Sequence, residues 1–406
     1  MSAAPRLALF LALLAAACAA PRPHRGAEIE DGWIEALLDA RPKAFAPYLD
    51  AAAEHRLQIL VSEVVEGPDG PRLERHGFRV GAEYFYPASA IKLCSAIAAL
   101  EWLAEESAAS AAGLDTPLRF HPLLEDETLE DSDPSNLTGG AITVGHEVRK
   151  LFLVSDNRAH NRLFELVGHR ALNERMWAAG LPSVRSVHRL SEARSFEDNL
   201  RTPRVELLLA GGAVRVVPER ESQLWVTSYG VPRHTIDAAF AGDGEMTPPP
   251  SDFGHKNSIS LLDLQNALVL LARPDVELGL RGFALPDAYR AFALAAMTEQ
   301  PAASDNPAYP ADDYPLDRLK YLMRGAGRVL PRDELMCANK VGRAYGFTID
   351  NAYVEHGPSG RAFFATAVLY TNPNRVLNDG VYAYADLADP FFADLGEELT
   401  RALLAP

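Results

Sequence analysis

Cysteine and lysine are the scarce residues of this 406-residue chain, three and six in number beside 33 arginines. Three cysteines cannot build a disulfide scaffold, and no Cys/His spacing of the zinc-site kind occurs. None of the 11 histidines stands four residues from another, so no His-x-x-x-His pair can bind metal from a helix face. The sequence therefore calls for no metal and no cofactor. Surplus positive charge is missing too. Against 55 acidic residues stand 39 basic ones, a net charge of −16. Such a chain repels phosphate backbones, so nucleic acid is not an expected partner, and anionic lipid headgroups attract it little. There is no internal repeat and no low-complexity linker. What is present is ordinary folded-protein composition, 48% hydrophobic and 23% charged, in a chain long enough for two or three domains.

No apolar run is long enough to span a bilayer. Fourteen apolar residues, Leu7 to Ala20, follow Arg6 and end in small residues before Pro21 and Pro23. The pattern reads as a secretory signal peptide over residues 1–20. Cleavage near Ala17 or Ala20 gives a free periplasmic protein. Alternatively, Leu14 to Cys18 resembles a bacterial lipobox, which makes Cys18 a lipidated first residue and a membrane tether at the outer membrane. The chain is expected to be exported in either case. Cys94 and Cys337 remain, and their apolar neighbours make them two buried free thiols rather than a pair.

Residues 28–406 are expected to form one folded unit. Two amphipathic helices, Glu28 to Ala40 and Ala44 to His55, precede a hairpin of Leu57 to Val65 and Leu73 to Val80 around Gly67-Pro68-Asp69-Gly70. From Ser89 a helix runs that is apolar nearly all round, hence central and buried. Residues 112–140 are acidic and loop-like. Helices follow over Ser155 to Val167 and Ala171 to Ala179, and Ser260 opens another through Leu271 with a capping box. Residues 204–255 alternate short β-type runs with Pro and Gly and read as a β-rich insertion. The chain closes with β runs at Tyr345 to Val354 and Ala362 to Tyr370 and a helix from Phe392 to Leu404. Strands from both ends of the chain suit one antiparallel sheet. Terminal helices would cover one of its faces, and the central helices would form a second lobe with a cleft between.

Three short patterns fall at element boundaries. In Ser89-Ala90-Ile91-Lys92, positions i and i+3 share a helix face. The helix N-terminus favours an alkoxide and a bound oxyanion, and a buried lysine can lose its proton and act as base. Composition alone yields about 0.3 such spacings in a chain of this make-up. In Ser155-Asp156-Asn157, Ser155 could relay a proton and Asn157 hold substrate, although the same residues are preferred helix caps. The tripeptide recurs at Ser304-Asp305-Asn306 between prolines, which reads as a decoy. In Lys340-Val341-Gly342, a lysine enters a buried strand and Gly342 leaves room for a ligand near the backbone. The alternative is an edge-strand lysine that blunts aggregation. Lysine can serve as a base where arginine cannot, so its rarity here makes Lys92 and Lys340 informative.

Taken in order, Ser-x-x-Lys, Ser-Asp-Asn and Lys-x-Gly resemble the penicillin-recognising serine enzymes, and the chain looks like an atypical class A β-lactamase-like hydrolase. Phe78 to Leu93, Asn161 six residues after Ser155, and Lys340 to Thr371 extend the likeness. The resemblance implies an α+β fold, with a five-stranded antiparallel sheet flanked by terminal helices and an all-helical lobe. It implies Ser89 as nucleophile, Lys92 as proton acceptor, Ser155 as relay, and Asn157 and Lys340 as substrate-holding groups. The backbone N–H groups of Ser89 and Arg343, beside Gly342, would form the oxyanion hole. The expected substrate is a β-lactam or a related peptide or ester. Two departures bear on it. Val341 stands where the family has Thr or Ser, and Glu197-x-x-Leu200 keeps half of the deacylating Glu-x-x-Leu-Asn pattern, with Arg201 in place of asparagine. Glu197 is thus either the deacylating base or a solvated loop carboxylate. In the second case the chain would behave as a penicillin-binding D,D-peptidase-like enzyme. A catalytically silent module that binds a cell-wall peptide is the alternative of a different class.

Overall fold

In the computed structural model, which describes residues 28–405 except 243, Gly32 sits in the left-handed region at φ 92° and splits the first expected helix. Before it Ile29–Asp31 forms a strand (β1), and after it come helices α1 (Trp33–Asp39) and α2 (Pro42–Asp50). The leader of residues 1–20 and Cys18 lie outside the described residues.

The hairpin of β2 (Gln58–Val65) and β3 (Arg72–Phe78) joins the C-terminal strands β4 (Leu335–Ala344), β5 (Phe347–His356) and β6 (Arg361–Tyr370) in the order β1-β3-β2-β6-β5-β4. The five longer strands are antiparallel, as the sequence implied. The sixth, β1, is three residues long and runs parallel to β3, pairing Ile29 with Arg75. The two ends of the chain meet where Ala365 on β6 faces Val61 on β2.

Both faces of the sheet are covered, and the central strands β2 and β6 read as mostly apolar runs, whereas β3 alternates and carries Arg72, Glu74, Arg75 and His76. On one face Val61, Val354 and Phe363 pack against α1, α2 and the terminal helix α9 (Asp389–Leu403) through Ile34, Phe45 and Leu395. On the other, Leu60 and Phe364 pack beneath the second lobe, built on α3 (Lys92–Ser110), α4 (Val144–Leu153), α5 (Asn157–Val167), α6 (His169–Ala179), α7 (Leu261–Ala272) and α8 (Asp287–Thr298). Side-chain caps start three of these helices: Thr143 for α4, Asp156 for α5 and Ser260 for α7. Cys94 belongs to the upper core and Cys337 to the lower, and both are free.

The helical lobe also carries a four-stranded sheet. Within the acidic stretch expected to be loop, Leu118 and Phe120 are buried, and strand Pro117–Phe120 pairs with Val205–Leu208 and Ile142–Thr143. The insertion thus begins as a hairpin of this lobe, Val205–Leu208 with Val214–Val217. It then crosses to the C-terminal loop, where Ala239–Gly242 pairs with Glu245–Thr247 and, in parallel, with Val376–Leu377.

Candidate active site

The chain enters α3 through a tight 3₁₀ turn, Ala88–Ile91, that carries Ser89 half-buried at the cleft. The preceding Ala88 has φ 48°, a left-handed conformation that costs a non-glycine residue energy. Ser191, Tyr345 and Asn378, which also line the cleft, share that conformation at φ 56°, 52° and 65°.

Lys92, one turn after Ser89, is 0% exposed. Its Nζ donates to the Ser155 carbonyl at 2.5 Å and to Asn157 Oδ1 at 2.6 Å, with Ser155 Oγ further off at 3.4 Å. Burial pulls its pKa down to about 7, partly offset by the Asp156 carboxylate. A neutral amine has two N–H bonds and one lone pair. The two short acceptors take both N–H groups and leave the lone pair uncommitted.

Ser155 owes its availability to its neighbour. Asp156 caps α5, its carboxylate accepting from Ala159 N at 2.7 Å, so Ser155 is free of that duty and sits at φ 60° just outside the helix. Its Oγ accepts from Lys340 Nζ at 2.9 Å. Lys340 lies inside the edge strand β4, yet it is 2% exposed and donates also to the Val341 carbonyl at 3.0 Å. It is no aggregation-blunting edge lysine. Burial, and then the charge of Lys92, hold its pKa well below the usual lysine range. Asn157 completes the group by donating Nδ2 to Ser191 Oγ at 2.7 Å.

Gly342 plays a different part from the one expected. A Cβ there would lie 2.2 Å from Pro87 O, 2.9 Å from Ala90 N and 3.2 Å from Ser89 N. The close approach is made by the chain's own nucleophile turn, not by a ligand. The Arg343 side chain is occupied elsewhere. It pairs with Asp389 and lies between the rings of Tyr321 and Tyr384, at 4.5 and 4.8 Å from their centroids.

Glu197 is not brought to this group. It is exposed on the short helical turn Phe196–Leu200, away from the cleft lining. The loop turns in another residue, because Asn161 grips Leu190 through both its backbone groups, at 2.8 and 3.0 Å, and Leu190 lines the cleft. Glu192, two residues on, accepts from Asn161 and Arg158. Glu197→Gln is expected to leave the decay of any acyl-enzyme unchanged, whereas loss of a general base slows such a step by ~10²–10⁴-fold. The lifetime of labelled protein checks this.

The cleft measures about 590 Å³, and among the described residues its lining contains no Asp, Glu or His. Besides Ser89 and Asn157, it is walled by Leu190 and Ser191 on one side and by Tyr345, Tyr382 and Tyr384 on the other. Sequence reasoning missed these residues. The one signal for them was the Tyr-Ala-Tyr repeat at 382–384 in a chain that is 8% aromatic. The second Ser-Asp-Asn serves a loop instead: Ser304 bonds Pro307 O, and Asn306 bonds Asn136 and Thr138.

Residues 74–209, which hold Ser89, Lys92, Ser155 and Asn157 and stop short of Lys340, match the family model described as "Beta-lactamase enzyme family". No curated protein matches the chain. Among solved structures, a β-lactamase from Sphaerobacter thermophilus is similar at 17% identity and a TM-score of 0.48, covering 92% of this chain and 99% of that one. An ancestral class A β-lactamase is 20% identical at a TM-score of 0.46, covering 88% and 98%.

Proposed function

From the β-lactamase-like serine-enzyme region at residues 74–209, we propose that this chain is an exported hydrolase that is acylated on Ser89 by a β-lactam or a related amide or ester, and that it releases the acyl group slowly. The observation that carries the reading is one serine hydroxyl, Ser155 Oγ, reached by two buried lysines at 3.4 and 2.9 Å beside a serine at a helix start.

The steps follow from the group chemistry. Neutral Lys92 takes the Ser89 proton as Oγ attacks the acyl carbon. The oxyanion accepts from the N–H groups of Ser89 and Arg343. As the carbon–nitrogen or carbon–oxygen bond breaks, Ser155 gives its proton to the leaving atom and recovers one from Lys92 or Lys340. Asn157 and Lys340 hold the substrate. Water must then attack the acyl-enzyme, and the position that Asn161 holds toward the cleft carries Leu190 rather than a carboxylate base. That absence supports the penicillin-binding, D,D-peptidase-like form of the reading, in which an amine of a cell-wall peptide resolves the intermediate. The leader over Leu7 to Ala20 supports export to the periplasm, with Cys18 as a lipid tether if the lipobox is used.

Incubation of the purified mature protein with a fluorescent penicillin, beside Ser89→Ala, tests the proposal. The wild type is expected to take up one label that persists, and the variant none. Equal labelling of both, or of neither, would remove the acyl-enzyme and leave the silent binding module.

A further inference from the structure

Five of the six lysines have evident places. Lys92 and Lys340 meet at Ser155, and Lys150 pairs with Asp133 at 2.6 Å. Lys320 donates to the Met297 and Cys337 carbonyls at 2.7 and 2.9 Å, and Lys43 stands in solvent. Lys256 is the exception. It is half-buried, and among the described residues no carboxylate or carbonyl accepts from its ammonium; burial lowers its pKa with no acidic neighbour to raise it. What the ammonium does meet is the ring of Tyr345, at 5.7 Å from the centroid. A ring face attracts a cation but offers no acceptor atom to its three N–H bonds, so the hydration lost on burial is only partly replaced.

The backbone fixes Lys256 beside the cleft. Its neighbour Asn257 accepts from Val187 N and His188 N at 2.6 and 3.0 Å and donates to the His188 carbonyl at 3.2 Å, while Ser228 Oγ donates to the Lys256 carbonyl at 2.7 Å. Burial, and then the charge of Lys256, hold the pKa of His188 down to about 4, and the His188 ring stacks on Tyr86 at 6.2 Å. Tyr86 and Tyr345 both line the cleft. Strand β4 gives that cleft a direction. Lys340 reaches Ser155, which in the reading above protonates the leaving atom, and the Arg343 N–H receives the acyl oxygen. Tyr345 follows two residues on, roughly 7 Å further at the rise of a strand. The leaving group therefore lies toward Lys340, and the rest of the acyl part toward Tyr345 and Lys256.

We infer that Lys256 is a specificity-determining residue that pairs with a carboxylate on the acyl part of the substrate, so that the site prefers amides or esters whose acyl group is anionic. The inference rests on the acyl-enzyme reading above. Such a carboxylate supplies the acceptors that the ammonium lacks, at a place partly withdrawn from water where the pair is weakly screened.

Three penicillins with the same nucleus, phenyl ring and leaving-side carboxylate isolate this charge: benzylpenicillin, α-carboxybenzylpenicillin and the methyl ester of that α-carboxyl group. The rate of Ser89 acylation is read by mass spectrometry. The α-carboxyl compound is expected to outrun the other two by ~10-fold or more, and by less in about 1 M salt. The ratio is expected to fall toward one in Lys256→Met and to persist in Lys256→Arg, which keeps the charge. A wild type that takes the α-ester as fast as the free acid overturns the role of Lys256 and leaves the acyl-enzyme standing, and so does a preference that survives intact in Lys256→Met. Failure of all three probes to modify Ser89 overturns both. If the methionine variant does not fold, Lys256→Gln carries the same test.

Discussion

Replacing Lys92 by methionine is expected to slow acylation of Ser89 by ~10²–10⁴-fold, the usual contribution of a positioned base. Methionine matches the length of the buried stem and brings no charge, so the core around α3 keeps its volume. The cost to the fold is that the Ser155 carbonyl and Asn157 Oδ1 lose their donor, about 1–3 kcal/mol for each acceptor left dry. The pH dependence gives the test a second readout. With its pKa lowered to about 7, Lys92 is protonated below that pH and has no lone pair. Acylation by the wild type should therefore rise as pH rises through about 7 and level off above it, and the limb should vanish in the variant. Rate constants for fluorescent-penicillin labelling between pH 5 and 9 measure both. A rising limb that survives in Lys92→Met would pass the role of base to Lys340, and full activity would remove the scheme.

Why the two lysines could be read from sequence while Glu197 could not is a matter of range. Ser89 and Lys92 share a helical turn, and their geometry follows from spacing. Lys340 stands out because lysine is rare, although nothing local says that its ammonium crosses to Ser155, 185 residues away. The loop from 190 to 200 obeys no period, so spacing could not say which side chain turns inward. Asn161 decides it by holding both backbone groups of Leu190, and the exposed turn that carries Glu197 follows.

The fold shows the same division. Four of the five longer strands are legible in their apolar or alternating runs, whereas Leu335–Ala344 is announced only by Lys340 and by the family resemblance, because Asn339, Lys340 and Arg343 break its apolar pattern. The sixth strand is not legible, since Ile29–Asp31 is too short for a pattern and exists because Gly32 turns the chain. Strand Pro117–Phe120 hides inside an acidic stretch because only Leu118 and Phe120 face inward. The cleft wall is the hardest part to foresee. It joins Tyr345 to residues 378–384 and is braced by the insertion, and each of these contacts spans a long loop.

The second large effect is expected from a single methyl group. In Gly342→Ala the new Cβ would stand 2.2 Å from Pro87 O and 2.9 Å from Ala90 N. Both are backbone atoms, so no side chain can swing aside to admit it. Either β4 must move outward or the Ala88–Ile91 turn must back away by about 1 Å. The first route pulls Lys340 from Ser155 and shifts the N–H of Arg343. The second shifts Ser89 itself and disturbs the left-handed Ala88. A displacement of that size at reacting atoms costs ~10²-fold in rate, and overpacking of this kind destabilises by about 1–3 kcal/mol. The two effects are separable by measuring acylation on the folded fraction together with the Tm. A lower Tm with a ~10²-fold slower acylation is the expected pair. A lower Tm with acylation intact would mean that the β4 contact stabilises the fold without setting the position of Ser89, and the oxyanion assignment to Ser89 and Arg343 would fall with it.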